Sequence, residues 1–238
     1  MGSLMAALAC LITHRCILDK PVTVCVPTLK RYDLLAVLLQ SLQQGSVLPS
    51  AICIIDNGRD HTRLIQELSK ADVLERVNIK TPKHRLGVAE SWNWFIRNVP
   101  EERIIVNDDV TFGRDSLQAM IETRGDIVSA LRHTNACSCF LIRDTCVRKV
   151  GFFDERISPG YAYFEDCDYE IRMRAAGVSF TPVECGVIHG DEKGGSKTKA
   201  VYTLEEEVEH NRRFRIAQDN FKIKHGKLPH GMEGGVTV

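Results

Sequence analysis

The chain has 238 residues, 44% of them hydrophobic, and Lys plus Arg balance Asp plus Glu at 31 each. This length supports one sizeable hydrophobic core, so we expect a single domain with additions at its ends. The zero formal net charge provides no overall field to attract nucleic acid, so a nucleic-acid partner is not expected.

The apolar N-terminal stretch "LMAALACLI" is far shorter than the roughly 20 residues of a membrane span. It also lacks the preceding basic segment of a signal peptide. We therefore expect residues 1–20 to be a poorly ordered extension, and we predict no transmembrane segment. Nine cysteines without a C-x-x-C pair indicate reduced thiols in a soluble cytoplasmic protein and argue against a zinc site.

Apolar runs alternate with helical patterns through the first half of the chain. Strands are predicted at "VTVCVP", ended by Pro27, and at "AICIID", "VNIKT" and "RIIVND". Helices are predicted at "YDLLAVLLQSLQQG", "HTRLIQELSK" and "GVAESWNWFIRN". This alternation predicts an α/β fold with a mostly parallel central sheet flanked by helices, and ligands bind such sheets outside the carboxyl ends of the strands.

The second half of the chain has a different pattern. "DIVSA" and "CSCFLIR" are predicted strands, "FFDERISPGYAY" is a predicted loop, and "FEDCDYEIRMRAAG" is a predicted helix. A long charged helix is predicted from "LEEEVEHNRRF", followed by a loose tail from Lys224. On the shorter helix, Asp168 with Arg172 and Glu170 with Arg174 have the spacing of surface ion pairs.

Acidic residues end two of the predicted strands. Asp108 and Asp109 are adjacent carboxylates that repel each other, and Mg²⁺ or Mn²⁺ would offset this because both ions bind carboxylates together with substrate phosphates. The alternative is an "NDD" turn that caps the next helix. Asp56 could accept hydrogen bonds from a base or ribose, or it could simply begin the turn at "NG".

Two other segments carry charged residues next to a helix start. Arg85 follows Lys83 and His84 before a helix N-terminus, where backbone N–H groups and a guanidinium suit a diphosphate; a solvated basic loop is the alternative. Glu165 and Asp166 follow the aromatic "YAYF". A carboxylate beside aromatic walls is a candidate general base because desolvation raises its pKa, and helix capping is the alternative.

His189 lies after a short apolar strand and before several glycines, which indicates a loop that could fold over a ligand. A neutral imidazole can ligate a metal, although a single histidine is more often structural.

The order and spacing of these motifs resemble the inverting GT-A glycosyltransferases, specifically family 2, from about Val22 to Gly226. "VTVCVPTLKRYDLLAVLLQSLQQ" is similar to the first strand and helix of that family, and "IIDNG" to its nucleotide-contacting strand end. "RLGVAESWN" resembles its N-x-G segment and "NDDV" its DxD-type motif. "VGFFDERISPGYAYFEDCDYEIRMRAAG" resembles the acceptor-side segment with the Glu-Asp base motif, and "DNFKIKHG" the closing Lys-Trp-Gly element.

The resemblance implies a nucleotide-diphosphate sugar donor, a glycan or other hydroxyl acceptor, and Mn²⁺ or Mg²⁺ as cofactor. The catalytic residues implied are the base Asp166 and its neighbour Glu165, and the metal ligands are Asp109 and His189. The implied nucleotide and donor contacts are Pro27, Thr28, Asp56, Arg85 and Asp108.

The sequence departs from the family pattern at three positions. Asn107 begins the DxD-type motif, Arg85 replaces the usual Asn of N-x-G, and His225 stands where Trp is usual.

The resemblance also implies one domain over residues 21–226, with a nucleotide-binding half at 21–112, an acceptor-side half at 113–226 and a flexible tail at 227–238. Two alternatives stay open. A nucleotidyltransferase would usually have a glycine-rich segment after its first strand, and "VPTLKRYD" has no glycine. A non-catalytic nucleotide-sugar or glycan-binding module could share the fold. The sequence does not predict the oligomeric state, the sugar or the acceptor.

Overall fold

The computed structural model describes residues 21–70, 77–100, 102–131, 133–190 and 202–229. The predicted extension at 1–20 and the end of the predicted tail, 230–238, lie outside these residues. Among the residues described, no helix combines the length and apolar character that a membrane crossing needs.

A seven-stranded sheet forms the centre of the fold, in the order β3-β2-β1-β4-β7-β6-β8. Strands β1, β2, β3 and β4 are parallel neighbours, whereas β7 is antiparallel to both β4 and β6. The sheet is therefore mostly parallel, as predicted. Its strands are β1 (Thr23–Thr28), β2 (Ala51–Asp56), β3 (Val77–Lys80), β4 (Arg103–Val106), β6 (Ile127–Ser129), β7 (Cys139–Ile142) and β8 (Thr181–Pro182). A separate two-stranded sheet pairs β5 (Val110–Thr111) with β9 (Ile188–His189).

Helices cover both faces of the central sheet. Side chains alternate in direction along each strand, so the buried strands present apolar side chains on both faces. In β1, Val24 and Val26 belong to one core cluster and Cys25 belongs to the other. The first cluster includes the buried leucines of the first helix, and the second includes Trp92 and Phe140. The helices are α1 (Tyr32–Gln43), α2 (His61–Lys70), α3 (Val88–Asn98), α4 (Ser116–Glu122), α5 (Asp144–Val150), α6 (Glu165–Ala175) and α7 (Leu204–His225).

The prediction that Pro27 ends the first strand is wrong, since β1 continues to Thr28. The carbonyl oxygen of Thr28 accepts a hydrogen bond from Asn57 N on the β2 side of the strand. Backbone polar groups of successive residues point to opposite sides of a strand, so the nitrogen of Pro27 points toward β4. Pairing with β4 stops at Cys25. The missing N–H of proline therefore costs no ladder hydrogen bond there, and the strand carries Thr28 to the edge where ligands bind.

The prediction of a loose tail from Lys224 is also wrong at its start. Helix α7 continues to His225, and Gly226 ends it in the left-handed conformation at φ 75°. Leu228 is buried in a third small core with Phe221 and Phe164. This core packs α7 against the start of α6.

Candidate active site

A cavity of about 400 Å³ lies beyond the carboxyl ends of β1 and β4. Strand order explains its position, because β1 and β4 are adjacent and parallel and so end at the same edge of the sheet. The sequence-predicted site residues that line this cavity are Pro27, Thr28, Arg85, Asp108, Asp109, Glu165, Asp166 and His189.

Asp108 is fixed at the floor of the cavity by Thr28, whose Oγ1 donates a 2.7 Å hydrogen bond to Asp108 Oδ2. The pKa of Asp108 is raised to about 7, mainly by burial and also by the adjacent charge of Asp109, against the lowering effect of the Thr28 hydroxyl. The bond joins the ends of two strands. It also leaves a carboxyl group that is poised to exchange a proton or a hydrogen bond near neutral pH.

Asp109 and His189 meet across the small β5–β9 sheet, in which Val110 pairs with His189. Asp109 Oδ1 lies 3.2 Å from His189 Nε2. Both ring nitrogens of His189 are buried, and neither makes a hydrogen bond within the described part of the chain. No set of three or more His, Cys, Asp or Glu side chains among the described residues has the arrangement of a metal site. A carboxylate and an open imidazole still fit a hard cation such as Mn²⁺ or Mg²⁺, because these ions keep water and substrate phosphate as further ligands.

Asp56 does not reach the cavity. It is fully buried, and its Oδ1 accepts hydrogen bonds from the Tyr32 hydroxyl at 2.6 Å and from Arg59 N at 2.9 Å. The next residue, Asn57, lines the cavity instead. The role of Asp56 as a nucleotide contact therefore stays a prediction, and the structure supports a part in shaping the turn after β2.

The start of α3 differs from the predicted anion site. The backbone N–H groups of Leu86 and Val88 donate to Asn57 Oδ1 and to Tyr161 O, and that of Gly87 donates to the Glu90 carboxylate. A ligand could not use these three donors without displacing protein contacts. What this segment offers the cavity is the side chain of Arg85.

Arg85 lies with its guanidinium carbon 4.2 Å from the ring centre of Tyr161, and both residues line the cavity. Stacking on an aromatic face fixes the direction of a guanidinium while leaving its N–H groups open to an anion. Arg85 is therefore placed to contact a phosphate through its side chain alone.

The loop before α6 is attached to α3 at two points. Asn93 exchanges two 2.9 Å hydrogen bonds with the backbone of Phe153, and Glu90 accepts a 3.1 Å hydrogen bond from Gly160 N. Gly87 is required at the second point, because a Cβ atom there would lie 2.7 Å from the backbone of Tyr161.

Glu165 and Asp166 begin α6 after two residues with positive φ, Tyr163 at 101° and Phe164 at 65°. This backbone directs Glu165 inward, where burial raises the pKa of its carboxyl to about 8, helped by the charge of Asp166. The side chain of Asp166 is more exposed than that of Glu165, and Asp166 also lines the cavity. Burial raises its pKa, although Oδ1 accepts a 2.8 Å hydrogen bond from Cys167 N.

An aromatic cluster on one side of the cavity was not predicted from the sequence. The Tyr163 hydroxyl lies 2.8 Å from His210 Nε2, and the Tyr163 ring packs edge-on against Phe214 at 4.9 Å. His210 lies on the long charged helix, whose sequence gives no periodic apolar signal at that position. The only available signal was the aromatic content of "YAYF", which pointed to one half of the cluster.

Asp168 connects α6 to the C-terminal end of α7. Its side chain is fully buried, which corrects the prediction of a surface pair with Arg172. One carboxylate oxygen lies 2.9 Å from Arg172 Nε, and the other lies 2.8 Å from His225 Nε2 and contacts Lys224 Nζ. Burial alone would raise the pKa of Asp168, but Lys224, His225 and Arg172 outweigh burial and lower it. Lys224 and His225 thus attach the helix that carries Asp166 to the end of α7.

The sequence model described as Glycosyl transferase family 2 matches residues 23–130, a range that contains Thr28, Arg85, Asp108 and Asp109. A comparison with curated protein sequences finds no match.

Solved structures with a similar fold include two glycosyltransferases. The mannosyltransferase PcManGT from Pyrobaculum calidifontis, in complex with GDP-Man and Mn²⁺, is 17% identical with a TM-score of 0.57, covering 87% of this chain and 65% of that chain. S. aureus TarS, as a fragment in complex with UDP-GlcNAc, is 14% identical with a TM-score of 0.53, covering 85% of this chain and 67% of that chain. The present chain thus spans about two thirds of their length. At these identities the likeness shows the fold, and it confirms the predicted α/β GT-A fold.

Replacing Asp168 with alanine should lower the free energy of unfolding by about 3 kcal/mol, because it removes a fully buried carboxylate and leaves the partly exposed Arg172 and Lys224 without their counter-charge. Chemical denaturation measures this. The matched control is Glu170→Ala on the same helix, whose 3.2 Å pair with Arg174 is exposed and should contribute at most about 1 kcal/mol. Equal losses in the two variants would show that the Asp168 network does not stabilise the fold.

Glu165→Gln should stabilise the free protein more at pH 8.5 than at pH 5.5. In the wild type the folded protein favours the neutral Glu165 carboxyl, because its pKa is raised to about 8. The neutral carboxyl therefore stabilises the wild type fully below the unfolded pKa of about 4.5, and this contribution is lost as the pH rises toward 8. Glutamine is neutral throughout, so the difference in melting temperature should grow by at least roughly 2–4 °C between the two pH values. Glu170→Gln serves as the control and should show a constant difference.

Proposed function

We propose that this chain, which has the GT-A fold and matches Glycosyl transferase family 2 over residues 23–130, transfers a sugar from a nucleotide-diphosphate sugar to an acceptor hydroxyl with inversion. The observation that carries the proposal is that two distant parts of the sequence place carboxylates in one cavity. Asp108 and Asp109 come from the end of β4, and Asp166 comes from the start of α6. The family 2 match and the two glycosyltransferase structures support glycosyl transfer as the reaction class.

The donor would lie along the edge formed by β1 and β4, in the proposed nucleotide-binding half at 21–112. Thr28 and Asp108 are tied together at that edge and would contact the nucleoside and sugar. Arg85, stacked on Tyr161, would contact the diphosphate. Since negative charge increases on the diphosphate as the glycosidic bond breaks, a guanidinium already fixed in direction would stabilise the transition state more than the ground state.

Asp109 and His189 would hold Mn²⁺ or Mg²⁺. When bound, such an ion supplies positive charge to the leaving diphosphate. The buried, open nitrogens of His189 beside Asp109 support this pairing, and PcManGT is a protein of similar fold whose complex contains Mn²⁺.

Asp166 would act as the general base, within the proposed acceptor-side half at 113–226. Of the two carboxyls that begin α6, Glu165 is the more buried and has a pKa of about 8, so it keeps its proton at neutral pH. Asp166 is closer to the opening and is better suited to take the proton of an acceptor hydroxyl as that oxygen attacks the anomeric carbon. One base and one direct displacement invert that centre.

Asp166→Asn should lower nucleoside diphosphate release from the preferred nucleotide sugar by at least about 100-fold, because the amide cannot accept the proton. Its affinity for the nucleotide sugar should change less than about threefold. We would measure both with Mn²⁺ over a panel that includes UDP-GlcNAc and GDP-mannose, using the exposed Asp219→Asn as the control. Near-normal turnover in Asp166→Asn would remove Asp166 from the role, and release of pyrophosphate would indicate nucleotidyl transfer.

Asp109→Asn should raise the Mn²⁺ concentration for half-maximal turnover by at least about 10-fold, because a neutral amide is a weaker ligand for a hard cation. His189→Ala should shift the same curve in the same direction. Asp115→Asn, at an exposed position outside the cavity, should leave the Mn²⁺ titration unchanged. Full activity in excess chelator would contradict metal assistance.

A further inference from the structure

Besides the two ring nitrogens of His189, two buried polar atoms in residues that line the cavity have no hydrogen-bond partner in the described part of the chain. They are Nε1 of Trp92 and Oε2 of Glu165, in residues that are 3% and 5% exposed. Most buried polar atoms in folded proteins are paired. A donor and an acceptor left open in the lining of one cavity therefore indicate a ligand group that can pair with both.

Aromatic packing connects the surroundings of the two residues. The Trp92 ring packs edge-on against Phe153 at 4.8 Å, and Phe153 stacks on Tyr169 at 3.9 Å. Tyr169 lies four residues after Glu165 in α6, which puts the two on the same face of that helix. This packing connects the two helices that carry Trp92 and Glu165, and both residues line the same cavity.

We propose that Trp92 and Glu165 form a subsite for one hydroxyl group of the sugar that the donor carries. The indole N–H donates to the hydroxyl oxygen, and the hydroxyl hydrogen is donated to Glu165 Oε2. A hydroxyl group matches this pair because it can accept and donate at once, whereas a phosphate oxygen only accepts and a metal ion accepts no N–H hydrogen bond. This inference rests on the proposed glycosyl transfer and adds a determinant of donor choice to it.

Burial indicates the donor sugar rather than the acceptor as the source of the hydroxyl. Glu165 and Trp92 are less exposed than Asp166, so a group that reaches them lies deeper than the acceptor hydroxyl that Asp166 would deprotonate. The raised pKa of Glu165, about 8, keeps the subsite uncharged at neutral pH, which suits a neutral sugar rather than a diphosphate. A site built to pair with a hydroxyl discriminates strongly against an analogue that lacks it.

The test compares each nucleotide sugar with its own nucleoside diphosphate. Isothermal titration with Mn²⁺ gives the affinities of UDP, UDP-GlcNAc, GDP and GDP-mannose for the full chain. Trp92→Phe keeps an aromatic ring and removes the N–H group. It should weaken the nucleotide sugar that the wild type binds by about 3- to 10-fold, the effect of one hydrogen bond, and change its nucleoside diphosphate by less than about twofold.

Trp94→Phe is the matched control, because it makes the same substitution in the same helix at a residue outside the cavity lining. It should leave both affinities unchanged. Glu165→Leu is the second variant, because it removes the acceptor oxygen that glutamine would keep, and with it the test survives if Trp92→Phe fails to fold. It should cause the same selective loss, and the double variant should lose no more than the larger single loss, because both residues contact one hydroxyl.

The outcomes separate the subsite from the proposed function. Nucleotide-sugar binding that is unchanged in both variants, or weakened equally with the nucleoside diphosphate, overturns the subsite and leaves the transferase proposal standing. A loss seen only in the KM of the acceptor overturns the assignment to the donor sugar. If the wild type binds none of the four nucleotides with Mn²⁺, the proposed function fails and the subsite fails with it.

Discussion

Mutual repulsion among buried carboxylates is the constraint on which this structure depends. Asp108, Asp109, Glu165 and Asp166 all line one cavity, and burial raises the pKa of Asp108 to about 7 and that of Glu165 to about 8. Placing such groups together costs folding free energy, and folded proteins tolerate that cost mainly where a ligand later offsets it. The Thr28 hydroxyl on Asp108 offsets a small part of it. The remaining cost would be lowered by a bound cation or polar ligand, as the proposed function requires.

Two different scaffolds hold these carboxylates in place. The pair after β4 is fixed by the sheet, since adjacent parallel strands must end at one edge. The pair at the start of α6 is fixed by helix packing, with Asp168 held by cations from two helices and Phe164 packed against α7. The sheet itself joins the two halves, because β7 pairs directly with β4. This pairing is consistent with the predicted single domain over residues 21–226.

Much of this arrangement could be predicted from the sequence, because it depends on local patterns. Alternating apolar runs gave β2 and α2 with their observed bounds, and acidic residues at strand ends pointed to Asp108 and Asp109. What the sequence could not predict depended on contacts between distant segments. The inward position of Asp56 is set by Tyr32, and the use of the α3 N–H groups is set by Asn57 and Tyr161. Likewise, nothing near His225 in the sequence indicates its contact with Asp168.

The segment between Phe153 and Gly160 is anchored near each end to α3, through Asn93 and Glu90. Neither anchor depends on the side chain of the segment, because each contacts its backbone. Side chains of the segment add to these anchors, since Asp154 contacts Lys224 on α7, Glu155 accepts a hydrogen bond from Asn93, and Ile157 is buried in the third core. A lineage could therefore diversify this rim of the cavity at its exposed positions, Arg156 and Pro159, without loosening the segment.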